Sequence, residues 1–88
     1  MSNKAVKRLL AQRYGKVCML CGKRLKLENS QYHHIKPKSM GGGATVLNGA
    51  LLHAECHMKI HKYKFNTDEY RETIRQILNN KKRFDKWG

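Results

Sequence analysis

The chain is short of three things: acidic residues, aromatic residues and long apolar runs. Six Asp and Glu stand against nineteen Lys and Arg in 88 residues, aromatics make up 8% and hydrophobic residues 40%. No apolar stretch approaches the roughly 18–20 residues of a membrane-spanning helix, so a membrane location is not expected. The N-terminus lacks the apolar core of a signal peptide, so secretion is not expected either. Residues 1–88 suit one domain, and a domain this small with so few apolar residues needs a staple: a metal, disulfides or a partner subunit.

What the chain has in excess is positive charge. A formal net charge of +13 on so small a body repels itself and attracts a polyanion, because each phosphate it neutralises also releases counterions. Nucleic acid is the expected partner. An anionic membrane is the weaker alternative, since it favours an amphipathic helix with a broad apolar face.

Three cysteines exclude a fully paired disulfide framework. Two of them form Cys18-x-x-Cys21, followed by Gly22, and the third lies in His53-x-x-Cys56, the same spacing with an imidazole first. Two donors three positions apart reach one tetrahedral ion across a tight turn, and glycine after the second relieves the backbone there. Cys18, Cys21, His53 and Cys56 therefore form a complete Cys3His set for a structural zinc ion.

Around these ligands the periodicity predicts an amphipathic helix at about residues 4–14, with Val6, Leu9, Leu10 and Tyr14 on one stripe and Gly15 as its stop. A short strand is expected at residues 31–35, a glycine loop at 41–43, and a second extended segment at about 45–52. Helix resumes at about 54–63. A last helix at about 67–81 has Asn66, Thr67, Asp68 and Glu69 at its start, and an apolar stripe of Tyr70, Ile74, Ile77 and Leu78. Lys81, Lys82 and Arg83 at its end suit the helix dipole.

All five histidines fall between positions 33 and 61. His57 and His61, four apart on a helix, project from one face, where two imidazoles can grip one ion. One helix then serves two metals, and the zinc set governs the rotation at which it presents His57. His33 and His34 on a strand point to opposite faces unless one sits at an irregular end, so the pair can divide its work. One completes the ion held by His57 and His61; the other stands beside it, where a neutral imidazole can take a proton from water.

The run Tyr32-His33-His34-Ile35-Lys36-Pro37-Lys38-Ser39-Met40-Gly41-Gly42, then Leu47-Asn48, then Leu51-Leu52-His53-Ala54-Glu55-Cys56-His57 with His61 following, resembles the HNH endonuclease family. The resemblance is closest to its small zinc-stapled branch in phages and bacteria, and covers about residues 17–62. His53 departs from that branch, which usually has cysteine there; imidazole is an ordinary zinc ligand, so the set becomes Cys3His without being lost.

The resemblance implies an α+β fold: an antiparallel hairpin followed by a helix around one catalytic divalent ion, the ββα-metal motif, here with a structural zinc site and flanking helices. It implies that His34 is the general base acting on water, with His33, His57 and His61 as ligands of the catalytic ion. Asn48 would hold the loop between the strands and orient His34. No acidic residue lies between Glu28 and Glu55, which argues against a two-metal, carboxylate-rich mechanism and for imidazole-friendly Mn²⁺, Ni²⁺ or Co²⁺ beside Mg²⁺. Lys36 and Lys38 after the His pair, Lys59 and Lys62 on the metal helix, and Arg71 and Arg75 on one face of the last helix are the expected phosphate contacts, with little base reading.

One active site nicks one strand of DNA, so a double-strand break requires a homodimer or two events. Small chains of this kind resemble phage proteins that work beside the DNA-packaging terminase, which implies a partner protein of that type and the cytoplasm of a bacterial host cell. The contrasting reading is a zinc-stapled DNA-binding module whose histidines bind a second structural ion without catalysis. A secreted toxin domain needs delivery regions for which 88 residues leave no place.

Overall fold

A computed structural model describes residues 3–64 and 66–87 of the chain. Helix α1 (Asn3–Tyr14) is followed by a knuckle turn, strand β1 (Ser30–His34), a long loop, strand β2 (Gly49–His53), helix α2 (Ala54–Lys62) and helix α3 (Asp68–Phe84). One-turn 3₁₀ segments precede β1 at Leu27–Asn29 and interrupt the loop at Lys38–Met40. Among the described residues no helix is long and apolar enough to cross a membrane.

β1 and β2 pair antiparallel, with Gln31 opposite Leu52, Tyr32 opposite Leu51 and His33 opposite Ala50. Directly opposed residues share a face, so the hairpin has two distinct sides. Gln31 and His33 project with Leu52 and Ala50 toward α2, and His57 on α2 bonds the Gln31 side chain. Tyr32 and Leu51 project to the other side, where Leu51 meets Leu10 and Tyr14 of α1. Helices on both sides explain why Ala50, Leu51 and Leu52 are all buried, although an alternating strand would expose every second residue.

The expected apolar stripes form the core. Val6, Leu10 and Tyr14 of α1 and Ile77 of α3 are buried with Met19, Ile60 and the β2 leucines. Leu9 is only half-buried, and Leu78 is 47% exposed. Each fully buried aliphatic side chain contributes about 1.5–3 kcal/mol, and ordering one residue costs about as much, so a core of this size leaves little margin without further ties.

The element boundaries differ from the sequence expectation in ways that have causes. β1 begins one residue earlier than expected. The extended segment expected from residue 45 becomes strand only at Gly49, because Thr45–Asn48 is gathered into a turn: Asn48 N donates to Thr45 Oγ1 at 3.1 Å, and Tyr32 Oη donates to the Thr45 carbonyl at 2.8 Å. Thr67 caps α3, its hydroxyl accepting from Tyr70 N at 3.3 Å, as the sequence foretold. α3 then runs three residues past its expected end, to Phe84. Arg13 grips Asp85 through two N–H···O bonds of 3.1 and 3.0 Å, and Lys86 N donates to the Arg13 carbonyl. The chain after α3 is thus fastened to the end of α1.

Lys81 corrects the simplest reading of the helix end. It is 6% exposed, and its ammonium donates to the carbonyls of Val46, Leu47 and Gly49 at 3.0, 2.9 and 2.8 Å. Burial pushes its pKa down to about 8, still high enough to leave it charged at neutral pH. The sequence pattern assigned Lys81 no more than a charge that suits the helix dipole. Its ammonium instead stands over the Tyr14 ring, 5.0 Å from Nζ to the centroid, and ties down the turn before β2.

Candidate functional site

The Cys18–Cys21 knuckle is built by its backbone. Cys18 N donates to the Lys23 carbonyl, and Gly22 N to the Cys18 carbonyl, at 2.9 and 2.8 Å. Gly22 sits at φ +76, a left-handed conformation that a Cβ would strain. Met19 N donates to the Leu51 carbonyl at 2.9 Å, which docks the turn onto β2. From the other side α3 reaches down: Asn80 Nδ2 donates to the Met19 carbonyl and Gln76 Nε2 to the Leu20 carbonyl, at 2.6 and 2.7 Å. Nothing in the sequence pattern singled out Gln76 or Asn80, since polar residues on an outer helix usually face water.

β2 ends at His53 and α2 begins at Ala54, so His53 and Cys56 straddle the strand-to-helix corner. This corner closes on the knuckle. The donor atoms of Cys18, Cys21, His53 and Cys56 all lie within 4.8 Å of one another. His53 Nε2 donates to the Arg24 carbonyl at 3.0 Å, which leaves Nδ1 as the free lone pair, 3.4 Å from Cys21 Sγ. Donors around a tetrahedral zinc ion, bonded at about 2.0–2.3 Å, lie roughly 3.5–3.8 Å apart, so the arrangement fits that ion. The carbonyl on the far nitrogen is the usual outer support of a metal-bound imidazole.

The electrostatics of the four donors fit a cation as well. Burial works against ionising Cys18, but backbone N–H groups of Cys21, His53 and Leu20 aimed at its sulfur outweigh burial and hold its pKa below the ordinary thiol value. Burial, together with the Cys18 and Cys21 sulfurs, pushes Cys56 up to about 12. Three thiolates crowded this closely are compatible only around a positive charge. The four residues that the spacing grouped as Cys3His are brought together, and the cluster could hold a zinc ion.

The second cluster lies where the inner face of β1 meets α2. His57 and His61, one turn apart, bring their Nε2 atoms to 3.0 Å. His57 Nδ1 donates to Gln31 Oε1 at 2.9 Å, so the nitrogen that faces His61 carries the lone pair. His33 stands beside them, its ring centroid 5.4 Å from His57 and 6.5 Å from His61. Its Nε2 is buried without a hydrogen-bond partner. Burial, then the neighbouring His57, His61 and His34, holds the His33 pKa down at about 4; burial and His61 lower His57 as well. Both imidazoles are therefore neutral at pH 7. An orphaned buried nitrogen beside two converging ones is a donor set that a divalent ion would complete, so the residues fit such an ion.

Gln31 escaped the sequence reading. The signal was available in its position two residues before His33, which on a strand puts the two side chains on the same face.

A cavity of about 650 Å³ opens over this cluster and is lined by His33, His34, His57 and His61 with Pro37, Lys38 and Tyr70. His34 sits on the face opposite His33, its ring edge-on to Tyr32 with centroids 4.8 Å apart. It reaches the cavity because β1 ends there. The loop beyond it is held by Asn48: Oδ1 accepts from Lys36 N at 2.8 Å, and Nδ2 donates to the carbonyls of Lys36 and Gly43 at 3.1 and 2.9 Å. Gly42 makes this possible, because a Cβ there would fall on the Lys36 carbonyl. Asn48 thus pins the chain two residues after His34, and Lys81 holds the carbonyls on both sides of Asn48.

Of the expected phosphate contacts, Lys38 lines the histidine cavity, and Lys36, Arg71 and Arg75 line an adjoining groove. Lys59 lies elsewhere, beside Cys21 and Cys56 on the zinc side of α2. Lys62 is exposed near the end of the same helix.

Comparison with known proteins adds one finding to this geometry. The family model described as HNH endonuclease matches residues 18–63, more than half of the chain. A search of the curated proteins found no match.

Proposed function

The chain belongs to the HNH endonuclease family, and from that premise we propose that it is a metal-dependent DNA endonuclease with its reaction centre in the histidine cavity. One observation carries the reading: His33, His57 and His61 converge on one wall of the cavity that His34 also lines, with Lys38 at its edge. In a zinc-stapled module whose histidines bind a second structural ion without catalysis, the unpartnered Nε2 of His33 has a task but the fourth histidine, His34, has none.

His33, His57 and His61 would hold a divalent ion, Mg²⁺ or one of Mn²⁺, Ni²⁺ and Co²⁺. Bound there, the ion would supply positive charge against a phosphate oxygen and the departing 3′ oxygen. His34 takes the proton from the attacking water, which requires its imidazole to be neutral. Asn48 fixes the backbone at Lys36 and thereby the direction of His34, so it is a positioning residue. Gln31 holds His57 in the tautomer whose Nε2 is bare. Lys36, Lys38, Arg71 and Arg75 neutralise the backbone around the cleaved bond. Lys59 and Lys62 extend the positive field along α2 and make weaker contributions. About half of the chain is committed to the two donor clusters and the loop between them, so cleavage is expected to be weakly sequence-dependent; a homodimer or a terminase-like partner would supply paired cuts and site choice.

The test is conversion of supercoiled plasmid to open circle with Mg²⁺, Mn²⁺ or Ni²⁺, against buffer lacking added ions and against EDTA. His34→Ala is expected to lower the rate about 10²- to 10⁴-fold, with zinc content and DNA binding retained. Equal rates for the variant and the parent would overturn the assignment and leave the DNA-binding module as the reading.

A further inference from the structure

We propose that the preferred substrate carries an unpaired nucleotide next to the cleaved phosphodiester, and that the groove between the Pro37–Met40 turn and α3 receives its base. The proposal rests on the reading of the histidine cavity as a nuclease centre and names the substrate class of that centre.

The groove, about 390 Å³, shares Pro37, Met40 and Tyr70 with the histidine cavity, so a strand lying in one continues into the other. Its floor is apolar: Ile35, Ile74 and Leu78. Met40 and Leu78 are 51% and 47% exposed, an unusual placement on a chain with so little apolar residue to spare. Its rim is cationic: Lys36 on one side, Arg71 and Arg75 on the other. Asp68 and Glu72 pair with these arginines at 3.9 and 2.9 Å, but the guanidinium side chains are 63% and 68% exposed. Such open pairs hold weakly, and a phosphate displaces them readily.

Duplex DNA shows a protein its phosphates and groove edges and hides its base faces. For a duplex the cationic rim alone would serve, and an apolar floor between the cations would have nothing to cover it. A single strand alternates phosphate and base face, which matches a cationic rim beside an apolar floor. Covering one base face, with the Tyr70 ring in the groove wall as the aromatic partner, is worth about 5- to 100-fold in affinity.

The experiment uses the full chain, zinc-loaded and carrying His34→Ala, with fluorescent oligonucleotides of one sequence. They are presented as a single strand, a duplex, and a duplex with a short unpaired bubble. Anisotropy is measured at raised salt, where the phosphate contribution shrinks. The bubble and the single strand are expected to bind about 5- to 100-fold more tightly than the duplex, and adding Leu78→Glu is expected to bring that ratio close to one. Leu78 is half-exposed, and circular dichroism with zinc content checks that the variant is folded. Equal affinities for the three DNAs, or a ratio untouched by Leu78→Glu, would overturn the proposal. Cleavage by the parent chain separates the two readings: cleavage without preference defeats this inference alone, and preference without cleavage defeats the nuclease assignment while supporting the groove.

Discussion

The two clusters of candidate metal donors in this small protein draw on the same helix but are assembled by different means. The zinc set gathers four donors within 4.8 Å, each half of it local: a turn for Cys18 and Cys21, a strand-to-helix corner for His53 and Cys56. The histidine set gathers only His57 and His61 by local spacing, at 3.0 Å, and obtains His33 from the facing strand, with ring centroids 5.4 and 6.5 Å away. The first is closed by four protein donors; the second has three on one side and a cavity on the other. Closed sets suit structural ions, and open sets suit ions that must also meet a substrate. Because Cys56 and His57 are adjacent on α2, the closed site determines the rotation at which the open one is presented.

Removing one zinc ligand should break this dependence outright. Cys56→Ser is expected to abolish stoichiometric zinc binding and the cooperative thermal transition at neutral pH, since structural zinc contributes on the order of 10 kcal/mol, comparable to a domain's whole stability. Zinc analysis together with calorimetry checks this, and a variant that still melts cooperatively with zinc bound would refute the dependence.

The open site should reveal itself in acid. The folded chain holds His33 down at about 4 from 6.5, so as pH falls the unfolded chain takes a proton that the folded one refuses. Its contribution to stability is therefore full above about pH 6.5 and is lost toward pH 4, by about 3 kcal/mol at about 1.4 kcal/mol per pKa unit. His33→Gln is expected to flatten urea-denaturation stability over that window relative to the parent, which separates this effect from protonation of the thiolates.

Lys81 links the loop of the open site to α3 without touching the closed one. Lys81→Met should cost about 2–3 kcal/mol, since three carbonyls lose a charged donor, and should lower the melting temperature by roughly 10–20 °C with zinc content unchanged. The smallest expected effect is that of Gln31→Leu: divalent-ion affinity of the histidine cluster should drop about 10- to 100-fold in calorimetric titration with Mn²⁺. Zinc retention by the knuckle is expected to be unaffected, and a loss of zinc would show the two sites to be less separable than their geometry indicates.

Much of the zinc site was legible because its donors come in two short-range pairs, and short-range spacing survives any tertiary arrangement. The helix stripes were legible for a similar reason: Val6, Leu10 and Tyr14, then Tyr70, Ile74 and Ile77, recur at the helical period. Leu78 sits at the margin of its stripe and stays half-exposed. The strand boundaries were less readable, since hydrogen bonds from Tyr32 and Lys81 help decide where the turn before β2 ends, and these bonds join residues far apart in sequence.

By itself the sequence determined the donor chemistry, the helix faces and a strongly positive field suited to a polyanion, because residue type, 3.6-residue periodicity and net charge are properties of the chain before it folds. Only the tertiary structure decided that Gln31 holds His57, that Lys81 is a buried tie rather than a surface charge, and that Lys59 stands on the zinc side of α2. Those outcomes depend on which faces of β1, α2 and α3 meet, and that is settled by packing the whole core at once.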